Sequence, residues 1–414
     1  MNLLFDFLTA HGRYGAGEYQ RRVFMTLINY IHKNRIDDIH LFALYDSTKE
    51  ISYEDLREES LTKVIPIKYC DLYKQNLLEI IAENRIDRLF IACGQRIGEY
   101  PEVADVRCDV VCVTHDMLYE EWYYNHLYEY WQLLLPSLQM GAADKWKWMV
   151  YFRKNGAASR LARYILRMHR ERILERPMTY MKNVSDMLVK NPKAKCIMVS
   201  EYSKNSMIYN YRISPEKINV LYSPERLETP VEPINNKLLK DLVESGVKYY
   251  LMVSCDRYSK NPIKAFNAFQ HFVEMDADAH FVMIGMPSHF GNCSGRIHAL
   301  DFLSDSDLVW AMKKCYALVY PSFFEGFGYP PLEAMKYGKP VICSNMTSIP
   351  EILEEAPIYC SPLYESSIFM ALTQLTDENY HKYAERSQKQ YAKVSKRQEK
   401  DLLKLVNLLI SPIS

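Results

Sequence analysis

The feature that most constrains this fold is an alternation of buried-strand patterns with amphipathic helical patterns, which occurs twice along the chain. Runs such as LLFDFLT alternate with helical patterns such as EYQRRVFMTLINYIHKN, and the alternation starts again at YYLMVS. Strands that alternate with helices predict a parallel sheet with helices packed on both faces. Because 414 residues are too many for one ordinary core, the sequence predicts an α/β protein of two doubly wound domains with a cleft between them.

Composition sets the domain boundaries. The segment SPERLETPVEPINN, between the two alternations, is rich in proline and acidic residues, so we assign residues 223–245 as an interdomain linker. Residues 1–222 then form the first domain and residues 246–395 the second. The pattern of residues 396–414 continues a helical run and predicts a C-terminal helix.

Charge and cysteine content argue against several classes of protein. Lys plus Arg and Asp plus Glu both number 51, so no global charge draws the chain to nucleic acid. The ten cysteines include no CxxC pair, which argues against zinc and favours reduced thiols. No apolar run reaches the roughly 18 residues of a transmembrane helix, and the N-terminal apolar run is too short for a signal peptide. We therefore expect a cytoplasmic protein.

Two glutamates lie among many turn-forming residues in PSFFEGFGYPPLEAMKYGKP, residues 321–340. The preceding ALVYPS pattern predicts a buried strand, so Glu325 lies in the loop at its carboxyl end, where ligands bind in open α/β sheets. Pro330 and Pro331 suit a helix start, which places Glu333 in the opening turn of a short helix. Such a helix start favours a diphosphate, and carboxylates beside it bind the hydroxyls of a ribose or a second polyol. The alternative is a helix acid and a loop acid that share no role.

The longer stretch YPSFFEGFGYPPLEAMKYGKPVICSNMTSIPEI resembles the donor-site signature of retaining glycosyltransferases of family 4, which have the GT-B fold. Further segments fit in order, namely VTHDML, VSEYSKNSMI, KNPIKAFNAF and LSDSDLVWAMKKCYALVYPS. The resemblance covers the second domain well and the first domain thinly. It implies two Rossmann-like domains that face across a cleft, with the acceptor on the first domain, the nucleotide-sugar donor on the second, and a last helix that crosses back to the first.

The resemblance also implies roles for individual residues of the second domain. Glu333 corresponds to the glutamate that binds the nucleotide ribose, and Glu325 to the one that faces the donor sugar. Lys260 corresponds to the lysine that holds the diphosphate, and Arg257 is the candidate for a preceding arginine, although the two are closer together than in many relatives. The alternative places both cations in a solvated loop. The backbone turn around the sugar and diphosphate corresponds to Gly326, Phe327 and Gly328.

Two features of the first domain complete the candidate site. Gly15 and Gly17 follow the first strand, in a loop that the resemblance puts near the donor phosphates and the acceptor. Because Gln20 stands where a dinucleotide fingerprint needs its third glycine, the Rossmann motif fails, and a tight turn alone is the alternative. His115 ends a strand pattern, and the resemblance makes it a hydrogen-bond partner of the donor sugar, although a lone histidine is often structural. Ser200 is predicted to cap a helix.

A basic and aromatic segment lies at residues 145–176. Its stretch KWKWMVYFRKNGAASRLARYILRMHR contains eight Lys and Arg residues and no acidic residue. Arg160, Arg163 and Arg167 share one helical face, and apolar residues share another. We predict that the segment docks on anionic lipid at the inner face of the cell membrane, which suits a lipid-linked acceptor. The alternative is an ordinary helix of the first domain with a solvated basic face.

The sequence thus predicts a metal-independent, retaining, hexosyltransferase-like enzyme of surface polysaccharide biosynthesis, which moves a sugar from a nucleotide-sugar donor to a glycan or lipid-linked acceptor. No dedicated nucleophile is required if the leaving phosphate takes the acceptor proton, so the protein would supply alignment and charge stabilisation. We expect no metal cofactor and no nucleic-acid partner. Two alternatives remain open: a GT-B nucleotide-sugar epimerase or phosphorylase, and a non-catalytic glycan-binding GT-B subunit, which would be expected to lack the acids or the lysine.

Overall fold

The computed structural model describes residues 1–9, 15–48, 66–99, 101–123, 178–228, 230–286 and 295–411. The basic segment 145–176 lies outside these residues. The chain divides into two compact units. The first comprises the described parts of Met1–Met117, Glu175–Leu227 and Val394–Ser414, and the second comprises those of Leu118–Leu174 and Glu228–Lys393.

The first unit is built on a parallel sheet. Its described strands are β1 (Asn2–Asp6), β2 (His40–Tyr45), β3 (Ile67–Asp71), β4 (Arg88–Ile91), β5 (Asp109–Thr114), β6 (Ala194–Met198) and β7 (Ile218–Val220). They lie in the order β3-β2-β1-β4-β5-β6-β7, and each of these pairings is parallel. The central strands are almost wholly apolar because helices cover a parallel sheet on both faces.

Helices α1 (Gly15–Asn34), α2 (Leu77–Glu83) and α3 (Glu201–Tyr211) belong to the first unit, together with helical residues 178–190. Asn76 and Glu79 form a capping box at the start of α2. The Ser200 side chain accepts the Ser203 N–H at the start of α3, which confirms its predicted capping role.

The second unit has a parallel sheet of its own. Its described strands are β8 (Tyr249–Met252), β9 (His280–Ile284), β10 (Ile297–Leu300), β11 (Ala317–Tyr320), β12 (Val341–Ser344) and β13 (Ile358–Cys360). They lie in the order β10-β9-β8-β11-β12-β13. The chain builds outward from β8 to β10 and then returns to place β11 on the other side of β8. The carboxyl ends of β8 and β11 therefore flank the topological switch point, where ligands bind in such sheets.

The helices of the second unit connect these strands. Those in the described residues include α4 (Lys237–Ser245), α5 (Pro262–Met275), α6 (Asp305–Lys314), α7 (Tyr329–Lys336), α8 (Ile349–Leu353) and α9 (Glu365–Gln374). Within the segment 223–245 that the sequence assigned as linker, α4 occupies the last nine residues. The Asn236 side chain caps the start of α4, and Gly246, at φ +70°, ends it.

The C-terminal segment is one continuous helix, α10 (Asp377–Ile410), and not a separate helix over 396–414. Its residues from Val394 onward group with the first unit. The buried Arg88 side chain donates to the carbonyls of Leu408 (2.7 Å) and Leu409 (2.9 Å) and forms an ion pair with Asp109. Carbonyls at a helix end have no partner within the helix, so the Arg88 guanidinium anchors the end of α10 to β4.

Candidate functional site

The loops after β8 and β11 bring two oppositely charged side chains together at the switch point of the second sheet. Lys260 Nζ lies 2.5 Å from Oε1 of Glu325, and each residue is only 8% exposed. The Ser322 hydroxyl lies 2.7 Å from the same carboxylate oxygen. Burying a lone charge is costly, whereas a paired and hydrogen-bonded charge is tolerated. The cation and the acid that the sequence assigned to one site are therefore in direct contact.

The backbone of these loops is fixed by bonds between residues far apart in sequence. The Ser259 carbonyl accepts the Phe323 N–H at 2.7 Å and the Ser322 hydroxyl at 2.9 Å. Asn261, at φ +64°, donates through Nδ2 to the carbonyls of Pro321 and Pro362. Asparagine tolerates this left-handed conformation better than most residues. The loops after β8, β11 and β13 are thus tied to one another.

The helix start beside this pair differs from the prediction. Gly328 caps α7 in a left-handed conformation at φ +95°, and a Cβ there would lie 2.6 Å from Cδ1 of Ile349. The helix therefore begins at Tyr329, before the two prolines. Glu333 is its fifth residue and lies in the second turn, half-buried, so its predicted place in the opening turn is wrong. Because prolines lack an N–H, Gly328 and Tyr329 supply the backbone donors at this helix start.

The other predicted residues of the second unit lie around the same loops. Gly326 and Phe327 are buried between Glu325 and the cap of α7, and the Phe327 ring packs 5.5 Å from the Tyr329 ring. The Arg257 side chain is 45% exposed, with Nε 4.0 Å from an Asp256 carboxylate oxygen. Its backbone carbonyl accepts the Lys260 N–H at 3.0 Å. Arg257 thus belongs to the turn that presents Lys260, on its solvent side.

In the first unit, a single side-chain amide holds the backbone at His115. Gln95 accepts the His115 N–H at 3.0 Å and donates to the Asp116 carbonyl at 3.1 Å. The residue before Gln95 is Gly94. A Cβ at this position would lie 2.9 Å from both Cys112 Sγ and Thr114 Oγ1, so the space suits only glycine. Sequence patterns did not reveal Gln95, although its position just after a strand marks it as a candidate.

The state of the His115 ring follows from its neighbours. Its Nε2 lies 3.0 Å from the Ala92 carbonyl, which can only accept, so Nε2 carries the proton. The Tyr19 ring packs edge-on at 5.0 Å. Burial of the ring lowers the pKa of His115 to about 4. His115 is therefore neutral at physiological pH and offers Nδ1 as a hydrogen-bond acceptor.

The predicted glycines of the first unit lie at the start of α1, where Gly15 is the first residue and Gly17 is buried in the first turn. Gln20, which replaces the third glycine of the fingerprint, donates through Nε2 to the Asp6 carbonyl at the end of β1. This bond ties the helix to the strand. The start of α1 is therefore held by a side chain and not by the close packing that a third glycine would allow.

Two further findings concern metals and membranes. Among the described residues, no group of three or more His, Cys, Asp and Glu side chains is arranged to hold a metal ion. Within the same part of the chain, no helix has both the length and the apolar character to cross a bilayer.

Comparison with known proteins agrees with this geometry. Residues 236–390 match the family described as glycosyl transferases group 1. The O-antigen chain mannosyltransferase B of Escherichia coli is 40% identical over 95 residues, which cover 23% of this chain and 25% of that protein. The O-antigen chain mannosyltransferase RfbU of Salmonella typhimurium is 28% identical over 201 residues, which cover 45% of this chain and 52% of that protein. The matched stretches thus span from a quarter to about half of the length of these relatives.

The similarity to solved structures extends over the whole chain. The crystal structure of Anabaena HepE in complex with UDP and glucose has a TM-score of 0.62 at 14% identity and covers 100% of both chains. At this identity the similarity shows the fold, which confirms the predicted GT-B class of two doubly wound domains. The family match lies on the unit that holds Lys260 and Glu325. Residues 236–390 of this chain are thus similar to the glycosyl transferases of group 1.

Proposed function

We propose that this protein is a glycosyltransferase that moves a sugar from a nucleotide-sugar donor to a glycan or lipid-linked acceptor. The observation that carries the proposal is the buried contact of Lys260 with Glu325 at the switch point of the second sheet. A cation there suits a diphosphate, and a carboxylate suits sugar hydroxyls. The start of α7 adds the N–H groups of Gly328 and Tyr329 and the positive end of a helix dipole.

The proposed reaction needs no covalent intermediate with the protein. The bond between the anomeric carbon and the diphosphate oxygen breaks, and the acceptor oxygen bonds to the same face of the sugar. Because the new bond forms on the face that the diphosphate leaves, the configuration is retained, and the acceptor proton passes to the leaving phosphate. Lys260 would stabilise the charge that grows on the diphosphate, and Arg257 would add to it from the same turn. Glu325 would orient the sugar and Glu333 the ribose.

His115 of the first unit keeps its predicted role as a hydrogen-bond partner of the donor sugar. Its neutral ring offers Nδ1 as an acceptor for a sugar hydroxyl. The roles of Gly15 and Gly17 near the donor phosphates also stay predictions.

The sugar and the pathway are inferred from the relatives. Two of them are named as O-antigen chain mannosyltransferases, and HepE was solved with UDP and glucose. We therefore propose mannose as the transferred sugar and a bacterial surface polysaccharide as the product. A growing polysaccharide carried on a lipid would place the enzyme at the inner face of the cell membrane.

Ligand binding and product analysis test this proposal on the purified full chain. Unfolding temperature is measured with UDP, GDP, ADP and dTDP, since a ligand that binds only the folded state raises its stability, by about 2.7 kcal/mol at a hundred times its Kd. The stabilising nucleotide is then supplied as its mannose conjugate, with the glucose conjugate as control. Release of the nucleoside diphosphate with transfer of mannose to an acceptor supports the proposal. If no nucleoside diphosphate raises the unfolding temperature, the proposal fails, and an epimerised or phosphorolysed product would replace it with one of the alternatives.

A further inference from the structure

Two consecutive hydroxyls in the loop after β12 hold both backbone polar groups of Glu325. The Glu325 N–H donates to Thr347 Oγ1 at 3.1 Å, and the Ser348 hydroxyl donates to the Glu325 carbonyl at 2.9 Å. The Thr347 hydroxyl donates its own proton to the Met346 carbonyl at 2.8 Å, so its oxygen is left to accept. Ser348 is fully buried. The loop after β12 thus holds the Glu325 peptide through the hydroxyls of Thr347 and Ser348, and we call these two hydrogen bonds the clamp.

The backbone at Thr347 makes this arrangement unusual. Its φ is +58°, in the left-handed region that β-branched residues rarely adopt. Glycine would adopt this conformation without strain. A threonine therefore keeps its hydroxyl at a position where the backbone alone would favour glycine, and strain of this kind persists where surrounding contacts enforce it.

The clamp acts on a residue whose side chain is also fixed. Lys260 and Ser322 both bind Oε1 of Glu325. Among the described residues, Oε2 receives no side-chain hydrogen bond, so it is the oxygen that can accept one from a ligand hydroxyl. Where Oε2 lies depends both on the backbone that Thr347 and Ser348 hold and on the bonds that Lys260 and Ser322 make to Oε1, because together they fix the two ends of the side chain.

We propose that Thr347 and Ser348 are positioning residues that set the place of the Glu325 carboxylate for the donor sugar. This inference rests on the proposed glycosyltransferase function. The diphosphate and ribose are assigned to Lys260 and Glu333, which other loops and helices carry. Loss of the clamp should therefore slow sugar transfer and leave the affinity for the nucleoside diphosphate alone nearly unchanged.

Three variants at Thr347 separate the hydroxyl from the backbone strain. Thr347→Gly relieves the strain and removes the hydroxyl, Thr347→Val keeps the branched shape without the hydroxyl, and Thr347→Ser keeps the hydroxyl. We expect kcat for sugar transfer to fall about tenfold in the Gly and Val variants, the size of one lost hydrogen bond, and to stay within about twofold in the Ser variant. Ser348→Ala should lower kcat by about as much as Thr347→Val does. The Kd of the nucleoside diphosphate should change by less than about twofold in all four variants.

Hydrogen exchange of the Glu325 amide gives a second measurement that needs no activity. In the free protein, this amide should exchange at least about tenfold faster in Thr347→Gly than in wild type and remain protected in Thr347→Ser. If Thr347→Gly keeps wild-type kcat and wild-type exchange, the proposal is overturned. A parallel loss of stability, nucleotide affinity and kcat would make the role merely structural and would also overturn it. If wild type neither binds nucleoside diphosphates nor transfers sugar, the proposed function fails and the positioning role falls with it, whereas the exchange data still show whether the clamp exists.

Discussion

Nζ of Lys260 and Oε1 of Glu325 are 2.5 Å apart in a site from which water is largely excluded. Each charge offsets the desolvation of the other, so a variant that removes one leaves an uncompensated buried charge. The pair therefore has a structural role as well as its proposed chemical role. A single substitution at either residue affects both the stability and the proposed chemistry. A double substitution removes both charges, so it separates the effect on stability from the effect on chemistry.

We expect Lys260→Met to lower the free energy of unfolding by about 3–5 kcal/mol, because Glu325 stays buried without its cation. The double variant Lys260→Met, Glu325→Leu should recover most of this loss, since neither charge remains. Both proteins should fail to transfer sugar. Urea unfolding measures the stabilities, and a Lys260→Met protein as stable as wild type would show that the buried pair contributes nothing to the fold.

Glu333 should matter for the nucleotide and little for the fold, because it is half-buried on α7. Glu333→Gln removes the charge that strengthens hydrogen bonds to a ribose, so the affinity for the nucleoside diphosphate should fall by about 1.5–3 kcal/mol. Glu274→Gln, on the exposed face of α5, is the matched control and should bind as wild type does. Titration calorimetry gives both affinities. Equal binding by the two variants would remove Glu333 from the site.

Stability should rise with pH between about 4 and 6.5 through His115. Its pKa is near 6.5 in the unfolded chain and about 4 in the folded protein, where burial disfavours the charged ring. Between these values the unfolded state binds the extra proton, so the contribution is complete above pH 6.5 and is lost as the pH falls toward 4. The difference between the pKa of His115 in the unfolded chain and in the folded protein corresponds to about 3 kcal/mol of unfolding free energy.

The measurement compares wild type with His115→Gln, which retains a donor for the Ala92 carbonyl but does not titrate. The unfolding free energy of wild type minus that of His115→Gln should fall as the pH is lowered from 7 to 4. A difference that stays constant over this range would show that His115 titrates normally in the folded state.

How much of the fold was predictable depended on where each strand lies in its sheet. Central strands such as β8 and β11 read as continuous apolar runs because helices cover both of their faces. Among the described strands, the three that the sequence pattern did not reveal, β3, β10 and β13, lie at sheet edges, although the pattern INVLY did predict the edge strand β7. In β3, Lys68 and Tyr69 are exposed, which interrupts the apolar run. An edge strand takes its conformation from its one neighbour, and a local pattern does not contain that neighbour.

The site was predictable where a residue type itself indicates chemistry. Glu325 and Lys260 are charged residues in strand-end loops, and the structure places them in contact. Thr347, Ser348 and Gln95 escaped notice because hydroxyl and amide residues are common, and their roles depend on bonds to residues distant in sequence. The incorrect prediction that Glu333 lies in the first turn of α7 has a similar cause. The start of α7 is set by the left-handed backbone at Gly328, which the proline spacing does not specify.

Activity should survive EDTA. In the proposed reaction, Lys260 and the N–H groups at the start of α7 stabilise the leaving diphosphate, so a divalent cation is not needed for that task. The test is the rate of mannose transfer after dialysis against EDTA, compared with the rate after magnesium is restored. Complete and reversible loss of transfer would show that a metal ion supplies this stabilisation instead.

The last prediction concerns membrane contact by residues 145–176, and it rests on the sequence alone. The stretch from Lys145 to Arg170 carries eight basic residues and no acidic residue in a chain of zero net charge. Each Lys or Arg near an anionic surface contributes about 1 kcal/mol, and salt screens this attraction. The protein should therefore sediment with phosphatidylserine-containing vesicles at low salt and be released at high salt.

Replacing Arg160, Arg163 and Arg167 together by Glu reverses three charges on one predicted helical face and should abolish this sedimentation. Nucleoside diphosphate affinity should stay unchanged, because none of these three arginines is among the residues assigned to the donor. Lys237, Lys240 and Lys313, on helices of that second unit, provide the matched control, since their replacement by Glu makes the same change in net charge elsewhere. If the control triple variant loses vesicle binding as fully as the arginine variant, net charge and not the segment governs the contact. If wild type ignores anionic vesicles at low salt, the segment has no membrane role, and its basic face is only a solvated helix surface.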